Sequence, residues 1–183
     1  MTAPVITGGR LRGTRLCVPE GHGTRPIRSR VREALFSIVG AVLPDARVLD
    51  LYAGSGAMGL EALSRGAAHA TFVERDPRAL ACLRRNLAAC RLAPAQHALL
   101  VADAQVLQPL APFDLVLADP PFALRDPLSP AVLRAGALAP GGLLVLEQPS
   151  ERVAPLRLGE LALREARAYG RSTLWIYAPA HPA

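Results

Sequence analysis

Four adjacent residues, Asp119-Pro120-Pro121-Phe122, form the most distinctive chemical motif of this 183-residue chain. The exocyclic amino group of a nucleobase, like an amide nitrogen, is a poor nucleophile because its lone pair is delocalised. Two acceptors that take its N–H hydrogens localise that lone pair and stabilise the developing positive charge. The Asp119 carboxylate and the Pro120 carbonyl can supply them, while the two prolines hold the backbone rigid. Phe122 offers a ring on which a flat substrate stacks, although a Pro-Pro turn with Phe122 in the core is the alternative.

A glycine-rich segment predicts a site for an adenosine cofactor. Gly54, Gly56 and Gly59 match GxGxxG between a predicted strand and a predicted helix, and Glu74 follows Gly54 by 20 residues. This is also the dinucleotide fingerprint, so the glycines alone do not separate NAD from other adenosine cofactors. Asp50, at the end of the first strand, would repel a pyrophosphate. It would attract the sulfonium and ammonium groups of S-adenosyl-L-methionine (AdoMet), which is the cofactor we predict.

Four carboxylates, those of Asp50, Glu74, Asp103 and Asp119, each fall at the end of a successive predicted strand. In an open α/β sheet these ends form the ligand crevice. Glu74 is placed to accept hydrogen bonds from ribose hydroxyls and Asp103 from an adenine amino group, although Asp103 could instead only cap the helix that follows. Tyr52 fits either the core or the pocket wall. The predicted cofactor-binding residues are Asp50, Ala53, Gly54, Ser55, Gly56, Glu74 and Asp103.

The elements that must position these residues alternate between strands and helices, which predicts a doubly wound, Rossmann-like α/β fold with a mostly parallel sheet. The last two strands, joined by a tight turn at Gly170, must be antiparallel. Before the alternating part we expect a β-hairpin within residues 5–18 and a helix capped by Ser29 that runs to about Leu43. The predicted strands are 47–52, 70–74, 98–102, 113–118, 142–147, 161–169 and 172–178, and the predicted helices are 57–65, 77–91 (with Asp76 as N-cap) and 127–138.

The net charge of +6 is concentrated at the N-terminus. All 21 basic residues are arginine, which excludes mechanisms that need a lysine, such as Schiff-base or P-loop chemistry. Residues 1–32 hold seven arginines and one glutamate, and the remainder is balanced. We therefore expect residues 1–43 to form an RNA-docking extension of a catalytic domain at 44–183, although a solvated basic face is the alternative. The predicted RNA contacts are Arg10, Arg12, Arg15, Arg25, Arg28 and Arg30.

Other patterns set the expected location and exclude some kinds of site. The chain has no apolar run of about 18 residues, as a membrane span needs, and no apolar signal-peptide region. Its three cysteines form no CxxC pair and its four histidines are scattered, so we expect no metal site and a reducing, cytoplasmic location. Nothing in the sequence requires more than a monomer.

Five segments together make the chain resemble the RsmD family, the bacterial 16S ribosomal RNA guanine-N2 methyltransferases of the class I AdoMet-dependent superfamily. The resemblance implies AdoMet binding around Asp50, Gly54, Gly56, Glu74 and Asp103 and catalysis at residues 119–122. It also implies methylation of a guanine N2 in 16S rRNA of the small subunit or its assembly intermediate. The segments are ITGGRLRG (6–13), TRPIRSRVREALFSIV (24–39), VLDLYAGSGAMGLEALSRGA (48–67), FVERDPRAL (72–80) and ADPPF (118–122).

One departure from the family pattern and several rival functions stay open at this point. Ile27, Arg28 and Ser29 stand where the family usually has Thr-Thr-Asp, and Ile27 has no hydroxyl for a substrate contact. The same motif would suit a DNA base, another RNA or a protein amide. A nicotinamide-dependent oxidoreductase and a non-catalytic binding module are the alternatives from other classes.

Overall fold

The computed structural model of the chain describes residues 3–19, 26–108 and 112–180, with the backbone alone at 26–28. These residues form one sheet of eight strands in the order β3-β2-β1-β4-β5-β8-β7-β6. The first five strands are parallel, and β5–β8, β8–β7 and β7–β6 pair antiparallel, which confirms the predicted fold class. The strands are β1 Arg47–Leu51, β2 His69–Glu74, β3 His97–Val101, β4 Phe113–Ala118, β5 Leu138–Pro149, β6 Arg157–Leu158, β7 Leu161–Tyr169 and β8 Ser172–Pro179.

Three α-helices pack against one face of this sheet. They are α1 Pro26–Ile38, α2 Ala57–Ser64 and α3 Pro77–Ala89. Their buried apolar residues share a core with the residues of β1, β4 and β8 that point to this face. The opposite face has its own core, which contains alternate residues of the same strands, among them Leu49, Val116 and Trp175. Within the described ranges, no helix combines the length and the apolar character that crossing a bilayer requires.

Two helix predictions agree with the structure. Helix α2 ends before Gly66, whose φ of 113° is the left-handed conformation that a glycine after a helix adopts. Helix α3 begins after Asp76, which accepts hydrogen bonds from the backbone N–H groups of Arg78 and Ala79 at 2.8 and 2.9 Å. Local sequence signals were therefore sufficient for the two helices that flank β2.

The prediction of a third helix over 127–138 is wrong. Hydrogen bonds from Val132 N to Ser129 O and from Leu133 N to Pro130 O form isolated turns, and only a short 3₁₀ turn follows at Ala135–Ala137. Pro130 lacks the N–H group that its position would donate within a helix over 127–138, which interrupts the helical hydrogen bonding. Leu128 and Val132 are nevertheless buried, so this irregular segment contributes to the core of the second face of the sheet.

The predicted start of α1 is also wrong, because the helix begins at Pro26 and Ser29 lies inside it. A proline suits the first helical position, since the N–H that it lacks would have no partner there. The helix ends at Ile38, and a 3₁₀ turn at Gly40–Val42 completes the segment that was predicted to be helical to Leu43. Residues 20–25 of the preceding loop lie outside the described residues.

The predicted N-terminal hairpin is less regular than two strands. Residues 4–16, called the N-terminal ribbon below, form one isolated antiparallel bridge between Val5 and Arg15. Hydrogen bonds from Ile6 N to Thr14 O (3.0 Å) and from Leu16 N to Pro4 O (2.8 Å) hold the two sides together. Ile6 and Leu16 are fully buried in the core that α1 and α2 share, so the ribbon packs directly on the sheet domain.

The tip of the N-terminal ribbon packs on the end of α2. Arg10 N donates to Ser64 O, Leu11 N donates to Ser64 Oγ, and Ser64 Oγ donates to Gly8 O. A Cβ at Gly9, whose φ is 75°, would lie 1.8 Å from the Ser64 carbonyl oxygen. The ribbon therefore approaches α2 more closely than a residue with a Cβ would allow. Its Arg10 N–H group also binds the Ser64 carbonyl, which lies at the helix terminus and has no partner within the helix.

A buried glutamate of α2 also binds the N-terminal ribbon. Glu61 is fully buried and accepts hydrogen bonds from Thr7 N, Thr7 Oγ1 and Gly8 N at 2.7–2.8 Å. Arg65 Nε donates to the same carboxylate at 2.8 Å, and Arg32 Nε from α1 lies 3.4 Å from it. Because α2 also follows the glycine-rich loop, this carboxylate connects the basic N-terminal segment to the predicted cofactor site.

Candidate active site

Three of the four carboxylates predicted to line the crevice lie near one another at the carboxyl ends of their strands, and the fourth follows β3, which β2 and β1 separate from β4. In the β1–β2 and β1–β4 pairings, Leu51 is level with Val73 and with Ala118. The residues that follow, Glu74 and Asp119, therefore leave neighbouring positions at the carboxyl ends of their strands. Parallel strands bring their carboxyl ends together regardless of the separation along the chain.

The glycine-rich loop folds back tightly after β1. Tyr52, Gly54 and Gly56 have φ values of 59°, 56° and 79°, and Gly56 N donates to Ala53 O at 2.7 Å. Gly59 explains how closely α2 packs on the sheet, because a Cβ there would lie 2.3 Å from a ring carbon of Phe72. The loop therefore places its backbone directly above the ends of the strands, while Ala53 is buried and Ser55 is half-buried.

Asp50 lies beneath the loop. It is 2% exposed, and its Oδ2 accepts a hydrogen bond from Gly59 N at 2.8 Å. The pKa of Asp50 is raised to about 7, mainly by burial; the hydrogen bond from Gly59 opposes this rise, and the nearby Asp119 and Glu74 carboxylates add to it. The observed role of Asp50 is thus to fix the first turn of α2 and to add an interior negative charge; its attraction for a cationic cofactor stays a prediction.

Glu74 organises the backbone at the end of β2. Its Oε2 accepts from Gly54 N at 2.8 Å, and its Oε1 accepts from Arg75 N and Asp76 N at 2.7 and 2.8 Å. The side chain is half-buried. One oxygen of this carboxylate thus binds the glycine-rich loop, and the other binds the backbone at the start of α3. This is the residue for which the sequence predicts a ribose contact.

Asp103 caps the helical turn that follows it, which is the role predicted as the alternative to a cofactor contact. Its Oδ1 accepts from Gln105 N at 3.0 Å, at the start of a 3₁₀ turn over Ala104–Val106, and its Oδ2 pairs with Arg75. The side chain is about one quarter exposed, at 27%. A carboxylate can accept further hydrogen bonds, so its contact with an adenine amino group stays a prediction.

The motif at residues 119–122 leaves β4 at the same edge. Asp119 is half-buried, Pro120 is buried and Pro121 is exposed. The side chain of Phe122 is 40% exposed, so the alternative that places it in the core is wrong. The aromatic ring is available to solvent beside the carboxylate-rich crevice, as stacking on a flat substrate requires.

The sequence does not predict the side chains that bind the backbone of the segment after this motif. Arg152 Nη2 donates to Phe122 O and its Nη1 donates to Leu124 O, both at 2.8 Å. The Tyr52 hydroxyl donates to Pro127 O, and Gln105 Nε2 donates to Asp126 O at 2.9 Å. Tyr52 thus packs against the core of the second face of the sheet while its hydroxyl holds the segment after the motif. No local signal identifies Arg152, since its partners lie about 30 residues away.

The predicted RNA contacts lie within residues 10–30, and the structure describes only some of them. Arg10, Arg12, Arg15 and Arg30 are exposed. Arg25 lies outside the described residues, as do the side chains of Ile27 and Arg28. Arg32 is one of the seven arginines in residues 1–32, but it is 4% exposed and paired with Glu61. Its charge therefore balances a buried carboxylate.

Comparison with known proteins agrees with this architecture. The family model described as conserved hypothetical protein 95 matches residues 5–178. Ribosomal RNA small subunit methyltransferase D of Escherichia coli K12 is 37% identical over 174 residues, which cover 94% of this chain and 88% of that protein. The solved structure of Escherichia coli yhhF is 34% identical, with a TM-score of 0.83 and coverage of 98% of this chain and 99% of that one.

A more distant structure shares the fold alone. The Thermus thermophilus 16S rRNA N2 G1207 methyltransferase RsmC, solved with AdoMet and guanosine, is 23% identical with a TM-score of 0.71, covering 97% of this chain and 50% of that one. The family model and the identity to methyltransferase D each extend over most of the chain. The chain therefore belongs to the conserved hypothetical protein 95 family, the RsmD family.

Proposed function

We propose that this protein transfers the methyl group of AdoMet to the exocyclic N2 of a guanine in 16S rRNA, within the small ribosomal subunit or its assembly intermediate. One observation carries the proposal: residues 119–122 leave β4 next to β1, which carries Asp50 and leads into the glycine-rich loop, in a member of the RsmD family. We further propose that the enzyme is cytoplasmic, acts as a monomer and needs no metal ion.

The residues present fit AdoMet better than a dinucleotide. The loop packs on Asp50 and Glu74, and the Asp50 pKa rises partly because Asp119 and Glu74 lie near it. A concentration of negative charge opposes a pyrophosphate and favours a ligand that carries a sulfonium and an ammonium group. We assign cofactor binding to Asp50, Ala53, Gly54, Ser55, Gly56, Glu74 and Asp103.

In the proposed reaction, bound AdoMet supplies an electrophilic methyl group. Asp119 Oδ and the Pro120 carbonyl accept hydrogen bonds from the two N–H groups of the guanine amino group, which holds N2 in the orientation required for attack. The N2–methyl bond would form as the methyl–sulfonium bond breaks, S-adenosylhomocysteine would leave, and one N2 proton would pass to water. Phe122 stacks on the flipped base, while Arg152 holds the backbone at Phe122 and Leu124. Preorganised acceptors of this kind stabilise charge where it develops.

RNA docking is assigned to residues 1–43, with residues 44–183 as the catalytic domain. The proposed phosphate contacts are Arg10, Arg12, Arg15, Arg25, Arg28 and Arg30. Arginine suits this role because its planar guanidinium binds phosphate oxygens bidentately. The hydrogen bonds of Glu61 and Ser64 fix the ribbon that carries three of these arginines relative to α2.

The test of the function is methyl transfer from labelled AdoMet to small subunits isolated from cells that lack this enzyme. The proposal expects label in N2-methylguanosine of 16S rRNA after nucleoside analysis. Label in another RNA, in DNA or in protein would assign a different acceptor. Calorimetry that detects NADH binding without AdoMet binding would refute the methyltransferase assignment altogether.

AdoMet affinity is expected to rise with pH because of Asp50. Its carboxyl is protonated below its pKa of about 7, and the neutral form attracts a cation less than the charged form does. Between pH 6 and 7.5, the Kd for AdoMet should fall by up to about eightfold, and Asp50→Asn should flatten this dependence. S-adenosylhomocysteine, which lacks the sulfonium charge, is the control ligand; an equally steep pH profile in Asp50→Asn would contradict the role of Asp50.

RNA binding is expected to depend steeply on salt through the N-terminal ribbon. Replacing Arg10, Arg12 and Arg15 by alanine should lower the slope of log K against log salt by about two to three, because each lost phosphate contact removes nearly one released counterion. The matched control replaces Arg157, Arg164 and Arg171, three exposed arginines of the C-terminal segment. Equal slopes for the two triple variants would show that the ribbon is only a solvated basic face.

A further inference from the structure

A cavity of about 420 Å³ lies next to the candidate catalytic motif. It is lined by the segment between that motif and β5, by residues of β5, β6 and β8, and by the segment that follows β5. None of the predicted cofactor residues and none of residues 119–122 lines it. The cavity is therefore a separate compartment, adjacent to the proposed site of methyl transfer, to which no role has been assigned.

The cavity and the catalytic motif share Arg152. This side chain lines the cavity and also donates to the backbone carbonyls of Phe122 and Leu124. Gln148, which is 1% exposed, lines the cavity and accepts a hydrogen bond from Arg152. A ligand in the cavity would therefore contact the residues that fix the backbone on which Phe122 is carried.

The walls suit a flat heteroaromatic ring. Trp175, Pro127, Leu128 and Leu146 provide apolar surfaces, and a few polar groups, among them Asp126, converge on the same space. This combination and this volume are typical of pockets for small ligands. The buried Nε1 of Trp175 is not accessible to solvent, so a ligand in the cavity meets the indole ring rather than its N–H group.

We propose that the cavity binds a nucleobase adjacent to the target guanine, so that the enzyme holds two consecutive nucleotides of the RNA. The proposal rests on the proposed function. The target base stacks on Phe122 outside the cavity, and the next base enters it against Trp175. Arg125, an exposed cavity residue without a salt bridge among the described residues, is available to the phosphate between them.

Trp175 is the only tryptophan of the chain, so its fluorescence reports directly on the cavity. The probe is a 16S rRNA fragment that contains the guanine located by the methyl-transfer assay, with an abasic site placed in turn on each side of that guanine. The intact fragment should quench Trp175, and one of the two abasic fragments should not. AdoMet alone should leave the fluorescence unchanged. Equal quenching by all three fragments, or none by any, would overturn the proposal.

A pair of variants tests the same inference by kinetics. Pro155→Phe adds a ring at an exposed residue that lines the cavity, whereas Val153→Phe adds a ring two positions away, at a residue that is 89% exposed and does not line it. Pro155→Phe should raise the KM for the RNA fragment by about tenfold, the size of one lost stacking contact, with the Kd for AdoMet unchanged. Val153→Phe should behave like the wild type.

The outcomes separate this inference from the proposed function. Absence of methyl transfer by the wild-type protein would refute the proposed function. Normal transfer by the wild type, with the same KM for Pro155→Phe and Val153→Phe, would refute the cavity alone. In the positive case, the abasic fragment that fails to quench Trp175 should also have a raised KM with the wild type and no further increase with Pro155→Phe.

Discussion

Replacing Asp119 by alanine is expected to lower kcat for methyl transfer by about 10²- to 10³-fold, the usual cost of removing one preorganised group that stabilises a transition state. The substitution removes one of the two proposed acceptors for the guanine amino hydrogens. The Pro120 carbonyl would then act alone, and the N2 lone pair would stay conjugated with the ring. Single-turnover transfer from labelled AdoMet measures the chemical step directly.

Asp119→Asn is the matched variant for this experiment. An asparagine oxygen still accepts a hydrogen bond in the same place but carries no negative charge. It should therefore recover a large part of the activity that alanine loses. The Kd for AdoMet and the thermal midpoint control for damage to the fold, and retention of wild-type kcat by Asp119→Ala would overturn the proposed mechanism.

Replacing Glu61 by leucine is expected to destabilise the fold by about 3–5 kcal/mol, the range found when one partner of a buried ion pair is removed. Glu61 is fully buried and accepts hydrogen bonds from the backbone N–H groups of Thr7 and Gly8 and from Arg65. Burial already lowers the pKa of Arg32, and Glu61 is the largest influence that opposes this. Without the carboxylate, the buried guanidinium of Arg32 would lose its opposite charge, and two backbone donors would lose their acceptor. Chemical denaturation measures the change in the free energy of unfolding.

Glu165→Gln is the control for this effect. Glu165 pairs with Arg167 on an exposed part of β7, where both side chains are at least 40% exposed. Ion pairs at such exposed positions contribute little to stability because water screens the charges. The two glutamates thus have the same chemistry and opposite burial. If Glu61→Leu changed the free energy of unfolding no more than Glu165→Gln does, the N-terminal ribbon would not depend on this carboxylate.

The parts of the fold that the sequence predicts well are those with a local physical cause. Asp76 and Pro77 mark the start of α3, and the apolar runs that become β1, β2 and β4 differ from the observed strands by one residue or less. Strands buried on both faces must be apolar at nearly every position, so composition alone identifies them. The same signal places Asp50 and Asp119 at strand ends.

The wrong predictions fall where a local pattern competes with other constraints. Residues 127–138 have apolar residues at helical spacing, yet Pro130 interrupts the helical hydrogen bonds, and the apolar side chains of this irregular segment are buried. Pro26 fits the first turn of a helix as well as a loop, and the choice between them depends on how α1 packs against the ribbon and the sheet.

The sequence by itself determined the fold class and the position of residues 119–122 at the carboxyl end of a strand, because strand periodicity depends only on neighbours along the chain; the catalytic role of these residues stays a prediction. The tertiary structure alone decided how each carboxylate is used. Asp50 lies beneath a loop, Glu74 binds three amides, and Arg32 is turned inward to Glu61 rather than outward to RNA. Burial and partner contacts arise between residues distant in the chain, and only the packed fold brings them together.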